Sequence, residues 1–262
     1  MRVYKNFINN DWVGAISGKT FPVDNPATEE VFAEVSRSGT RDIDAAVVAA
    51  GSAFNGWRLT DPGSRREILK EIAKKTVEHG DEVAKLITQE CGKPFVEAQD
   101  EIDVIASNFE YYAELGRDQI GRIVAPTSSR SMSLVKYEPY GVVGCIIPWN
   151  FPMALMAWKV APALAAGNTV VLKPSEVTPV SILKWAEMTC DSLPTGVLNI
   201  VNGYGKEAGS PLVEHPDVPV VAFTGSVATG TIISQLAAKN LKKVSLELGG
   251  KDPVIICADC DI

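Results

Sequence analysis

The sequence predicts an α/β fold: an open parallel sheet with flanking helices, preceded by an N-terminal helical segment. Three observations carry this. From Gly141 onward, strand-like and helix-like stretches alternate, the rhythm of parallel strands joined by right-handed crossovers. Val142-Val143-Gly144-Cys145-Ile146-Ile147 is a continuous apolar run, as expected of a strand covered on both faces. Polar or Gly-rich turns recur at successive strand ends, and in open α/β sheets the crevice at those ends binds ligands.

Residues 1–35 read as extended segments and turns, with turn signals at Asn9-Asn10-Asp11 and Asn25-Pro26. Thr40 is a candidate N-cap for a helix through Ala45, Ala46, Val47 and Ala50. Asp61-Pro62 opens the next helix with Pro at its first position. Its Ile68, Leu69, Ile72 and Ala73 share one face, while Arg65, Lys70, Lys74 and Lys75 face water. Pro94 starts a third, in which Ile102, Ile105, Phe109 and Tyr112 recur at helical spacing up to Gly116. Between 117 and 140, Ser128, Ser129, Arg130, Ser131 and Ser133 interrupt the helices, and 134–137 reads as a strand in an excursion from the main body. After the strand at 142–147 come a helix through Ala154, Leu155, Trp158 and Ala161, a strand at 169–172 and a helix at 178–190. A strand at 198–201, a short helix near 207–213, a strand at 218–223 and a helix at 226–238 follow. Pro219 is tolerable only at the start or edge of its strand. Strands at 244–247 and 253–257 complete the expected order.

At 262 residues the chain can bury a large core in one or two domains. Its 46% hydrophobic and 22% charged residues are ordinary for a soluble globular protein. No apolar run reaches membrane-spanning length, and Met1-Arg2-Val3-Tyr4-Lys5-Asn6 lacks the apolar core of a secretory signal. A net charge of −7 argues against a nucleic-acid partner. Cys91, Cys145, Cys190, Cys257 and Cys260 are scattered, the pattern of reduced cytoplasmic thiols rather than of a disulfide framework. Cys257-Ala258-Asp259-Cys260 spells C-x-x-C, but His79 and His215 stand alone and no second Cys pair completes a metal site, so it reads as coincidence.

Five stretches carry chemistry. In Ser245-Leu246-Glu247-Leu248-Gly249-Gly250-Lys251 a strand runs into a Gly-Gly turn, which leaves Glu247 at a carboxyl strand end. Flanked by Leu246 and Leu248, that carboxylate is expected to be partly desolvated and basic enough to activate water; alone, it would also read as a surface Glu before a turn. In Pro148-Trp149-Asn150-Phe151-Pro152 two prolines fix the backbone around Asn150, whose amide either stabilises an oxyanion or caps the next helix. In Lys173-Pro174-Ser175-Glu176 a Lys and a Glu just past a strand suit ribose hydroxyls, the acid favouring NAD over NADP; the alternative is a surface ion pair. Gly203-Tyr204-Gly205 with Gly209, and Phe223-Thr224-Gly225-Ser226 with Gly230, offer backbone N–H groups to a pyrophosphate, although neither matches G-x-G-x-x-G.

Pro148-Trp149-Asn150-Phe151-Pro152, Lys173-Pro174-Ser175-Glu176, Phe223-Thr224-Gly225-Ser226 with Gly230, and Glu247-Leu248-Gly249-Gly250-Lys251, in this order along the chain, resemble the aldehyde dehydrogenase superfamily, and the likeness runs from about Phe7 to the end of the chain. The resemblance implies an atypical Rossmann-type NAD-binding core at 141–262, a β excursion of the oligomerisation region at 122–140, and an N-terminal segment with helices of the same domain at 1–121. It implies that Asn150 donates to the oxyanion and Glu247 activates the hydrolytic water. Lys173 and Glu176 would hold the adenosine ribose beside Ser175, and Gly205 and Gly209 would let the adenosine half lie close. Phe223, Thr224, Gly225 and Ser226 would line the pyrophosphate turn, Ile146, Ile147, Pro148 and Trp149 the facing strand end, and the Leu248 backbone the nicotinamide amide. NAD is the implied cofactor, with NADP the alternative, and a small aldehyde the substrate.

In that family a Cys thiolate attacks the aldehyde, and this Cys lies a few dozen residues beyond the Glu-Leu-Gly-Gly-Lys motif. None of the five cysteines here stands at that place, since Cys257 and Cys260 come too soon. The sequence therefore resembles roughly the first half of such an enzyme, expected to be inactive alone and to leave a sheet edge and apolar surface uncovered. Whole relatives are expected to form homo-oligomers. The competing reading is a stand-alone nucleotide-binding or partner-docking module. A short-chain dehydrogenase is disfavoured, because Tyr137, Tyr140 and Tyr204 are not followed by Lys at the required spacing.

Overall fold

The first two helices begin beside a carboxylate that accepts a backbone N–H. In the computed structural model, which describes residues 2–118, 121–126, 128 and 130–261, Asp61 accepts from Ser64 N at 3.0 Å and opens α2 (Pro62–Glu78) with proline in its first turn. Helix α1 (Thr40–Leu59) starts one residue earlier than a Thr40 cap would require, with Asp42 accepting from Gly39 N at 3.0 Å. Met1, Ser129 and Ile262, all used in the sequence reading, lie outside the described residues.

A helix unanticipated from sequence, α3 (Gly80–Cys91), follows α2 after His79 alone. It ends at Gly92, whose φ of +80° is left-handed and whose missing Cβ would stand 2.9 Å from Pro26 Cγ. Helix α4 (Phe95–Leu115) buries Ile102, Ile105 and Phe109 on the expected stripe.

Twelve strands are present among the described residues. β1 (Arg2–Tyr4), β4 (Thr20–Asn25) and β5 (Glu30–Ser36) form a small sheet, while β6 (Arg122–Val124) and β7 (Ser133–Val135) pair as the hairpin of the excursion. The central sheet combines β2 (Asn6–Ile8), β3 (Asp11–Val13), β8 (Val142–Ile146), β9 (Thr169–Lys173), β10 (Leu198–Ile200), β11 (Val220–Gly225) and β12 (Lys243–Leu248). Its order is β12-β11-β8-β9-β10-β2-β3, parallel from β12 to β10 and antiparallel at the β2–β3 end.

Side chains of the inner strands alternate between two cores. Val143, Cys145, Val170 and Leu172 face a core shared with α2, α3, α4, α5 (Pro152–Ala165) and α6 (Val180–Thr189). Val142, Ile146, Val171, Val221 and Phe223 face the other, shared with α1, α7 (Ser210–Glu214) and α8 (Val227–Ala238). Since β8 and β11 are neighbours although β9 and β10 intervene in sequence, the strand order reverses between them, the place where such sheets open a crevice.

Residues 253–257 form no strand. Val254, Ile255 and Ile256 are exposed, Ile255 at 86%, because no described neighbour offers them a ladder or an apolar face. Among the described residues β12 likewise pairs on one side only, with β11.

Candidate active site

Strand register puts the sequence motifs on one rim. Lys173 pairs with Ile146, Ile146 with Phe223, and Phe223 with Leu246, so β9, β8, β11 and β12 reach their carboxyl ends together. Just past that line stand Ser175 and Glu176, Pro148 to Asn150, Thr224 to Ser226, and Glu247 with Leu248. The turn holding Gly205 and Gly209 follows β10 on the same side, because β10 runs parallel to β9.

Lys173 is buried; its Nζ donates to the Pro174 carbonyl at 2.8 Å and pairs with Glu176 at 3.2 Å. Burial lowers its pKa, and the Glu176 charge opposes that shift. The ion-pair alternative thus describes the chain as it stands, with Glu176 partly exposed and open to a further donor. Ser175 is buried and accepts from Val177 N. Gly205 has nothing within 4 Å of where a Cβ would stand, and at Gly209 a Cβ would come no nearer than 3.9 Å to Lys173, so a ligand can lie against this turn.

Ser226 caps α8, its Oγ accepting from Thr229 N at 3.2 Å. Gly230 admits β12 to this helix: a Cβ there would stand 2.6 Å from Leu248 Cδ2. The side chains of Ile146, Ile147 and Phe223 are buried, so these residues can meet a ligand only through backbone.

Trp149 and Asn150 are exposed on the loop between β8 and α5. Asn150 does not cap α5; Glu101, from α4, does, accepting from Met153 N and Ala154 N at 2.9 Å each. Glu90, from α3, plays the same part for α6, accepting from Val180 N, Ser181 N and the Ser181 hydroxyl. Burial pushes the Glu90 carboxyl up to about 8, against those hydrogen bonds. Sequence reasoning missed both caps. The available signal was a carboxylate on an apolar stripe: Glu101 with Ala98 and Ile105, Glu90 with Val83 and Ile87.

Glu247 is exposed, which corrects the expected desolvation: an edge strand with one neighbour does not exclude water from it. Thr224 stands opposite it on β11, and Lys159 of α5 donates to the Thr224 hydroxyl at 2.6 Å. Burial lowers the Lys159 pKa, and the Glu247 charge opposes this. Lys159, also missed from sequence, joins the cluster at the rim.

A cleft of about 540 Å³ near the start of α1 is lined by Lys19, Arg37, Arg41 and Asp42, with Lys206 and Glu207 from the Gly205–Gly209 turn. Asp42 already occupies that helix start, and Arg37 is paired with Glu207. Among the described residues, no three His, Cys, Asp or Glu side chains converge as a metal would need, and Cys257 and Cys260 are exposed and free.

Residues 12–262 match the model of the aldehyde dehydrogenase family. The chain belongs to the aldehyde dehydrogenase family. It is 46% identical to the peroxisomal aminoaldehyde dehydrogenase 2 of Pisum sativum, over 98% of this chain and 53% of that one. It is 47% identical to the mitochondrial aldehyde dehydrogenase of Leishmania tarentolae, over 98% of this chain and 52% of that one. Among solved structures, the NAD+ complex of aldehyde dehydrogenase from Bacillus cereus superposes with a TM-score of 0.93 at 45% identity, over 98% of this chain and 53% of that chain. Betaine aldehyde dehydrogenase from Staphylococcus aureus, also in complex with NAD+, gives 0.92 at 35% identity, over 94% of this chain and 50% of that one. The chain therefore spans about half the length of the relatives it matches. No described helix is long and apolar enough to cross a membrane.

Proposed function

We propose that this chain supplies the coenzyme-binding part of an NAD-dependent aldehyde dehydrogenase that oxidises an aldehyde to a carboxylic acid, with NADP as the alternative coenzyme. The observation that carries the reading is the common rim, where the Lys173–Glu176 pair, the Asn150 loop, the Ser226 turn and Glu247 leave the sheet at one end. NAD-bound relatives of the same fold support it.

The residues suit a dinucleotide. Glu176 can accept from a ribose hydroxyl while Lys173 anchors its other side. Gly205 and Gly209 leave room for the adenosine half, and the start of α8 faces the pyrophosphate. NAD, when bound, accepts the hydride of the aldehyde carbon. Asn150 donates its side-chain N–H to the oxygen that gains charge, and Glu247 takes a proton from the water that releases the acid. The exposed hairpin β6–β7 is the proposed arm of a homo-oligomer, and the free cysteines fit a reducing, cytoplasmic setting.

The thiolate that receives the acyl group is not one of this chain's own. Burial pushes Cys145 and Cys190 up to about 12 and also raises Cys91, so none of these three is a ready thiolate. Cys257 and Cys260 lie on the exposed segment past β12. The chain mixed with NAD and a small aldehyde is therefore expected to produce no NADH above the uncatalysed rate. NADH formed at enzymatic rates would show that one of these thiols is the nucleophile.

A further inference from the structure

We infer that Glu101, together with Lys93, is a positioning residue that sets the orientation of Asn150. This rests on the reading of Asn150 as the oxyanion donor. The loop carrying Asn150 has little packing of its own, since Trp149, Asn150 and Phe151 are all exposed. Its backbone is nevertheless tied down from both sides, and by side chains remote in sequence.

Downstream, Glu101 Oε1 accepts from Met153 N and Ala154 N, the N–H groups of the first turn of α5. Its other oxygen pairs with Lys93 Nζ at 2.6 Å, and the two side chains are only 1% and 8% exposed. The Lys93 ammonium also stands 3.9 Å from the centre of the Phe151 ring, next to Asn150. Upstream, the Thr178 hydroxyl donates to the Trp149 carbonyl at 3.3 Å, and Cys91 Sγ lies 3.6 and 3.8 Å from the Trp149 and Asn150 carbonyl oxygens.

The sequence arranges this economically. The left-handed turn at Gly92 sends the chain from Cys91 at the end of α3 to Lys93, and Pro94 then starts α4, whose second turn bears Glu101. One segment thus touches Trp149, Asn150, Phe151, Met153 and Ala154. A buried ion pair is a poor way to gain net stability, but it is directional. Removing either charge frees α5's first turn or Phe151, and Asn150 lies between the fixed points.

The test is the side-chain amide resonance of Asn150 in the isotope-labelled chain, identified by its loss in Asn150→Asp. It is compared in Glu101→Ala, Glu101→Gln, Lys93→Met and, as a buried control on the same helix, Ile105→Val. The resonance is expected to move by more than its linewidth in Glu101→Ala and Lys93→Met. It should return part of the way in Glu101→Gln, which keeps the acceptor for the α5 N–H groups, and stay in place in Ile105→Val. If Glu101→Ala does not fold, Lys93→Met and Glu101→Gln decide the matter. An unmoved resonance in Lys93→Met, or an equal shift in Ile105→Val, overturns the inference. The resonance reports geometry alone, so this failure is distinct from failure of the oxyanion reading, which is judged by turnover.

Discussion

The two flanks of the central sheet both carry candidate site residues, yet they are built differently. On one flank β8, β9 and β10 are buried along their whole length, and the loops that leave β8 and β9 are braced by Glu101 and Glu90. On the other, β12 pairs on one side only and presents an exposed Glu247. The residues proposed for the coenzyme's ribose are thus already held in place, whereas the proposed general base has its strand but not a dry environment.

That contrast is most easily broken by equal deletions on the two flanks. Leu172→Ala, in β9 at 0% exposure, should lower stability by about 2–5 kcal/mol, because it leaves a cavity between packed layers. Leu248→Ala, in β12 at 40% exposure, should cost less than about 1 kcal/mol. Urea unfolding of the two variants checks this, and equal losses would mean that β12 is as firmly packed as β9.

A smaller effect sharpens the account of the braced flank. The Glu90 carboxyl is pushed from 4.5 up to about 8 by burial, so between those values the folded chain keeps a proton that the unfolded chain has released. Stability contributed this way is complete below about 4.5 and falls as pH rises toward 8. Glu90→Gln should remove that slope in melting experiments across the same window. An unchanged slope would place the titrating group elsewhere.

Much of this arrangement was legible in the sequence, for physical reasons. Apolar runs such as 142–147 and 169–172 are short and rich in β-branched residues, which fits strands between two helical layers, and Asp61-Pro62 announces its helix by itself. The motif turns were visible because each needs particular residues at a strand end. What was hidden depends on partners far away in the chain. The caps of α5 and α6 come from Glu101 and Glu90, 52 and 90 residues earlier, and no local rule links them. The helix α3 was lost because a single residue separates it from α2. Residues 253–257 look like a strand by composition, but a strand exists only beside a neighbour, and among the described residues none is there. The exposure of Glu247 has the same cause.

The central claim is that the rim on the braced flank cradles NAD through Glu176. Calorimetric titration of the chain with NAD and with NADP, repeated on Glu176→Ala, tests it most directly. NAD should bind roughly tenfold more tightly than NADP, a difference of about 1.4 kcal/mol, and the substitution should erase that preference. NAD binding no better than NADP, or a Glu176→Ala chain that behaves as the wild type does, would contradict the assignment.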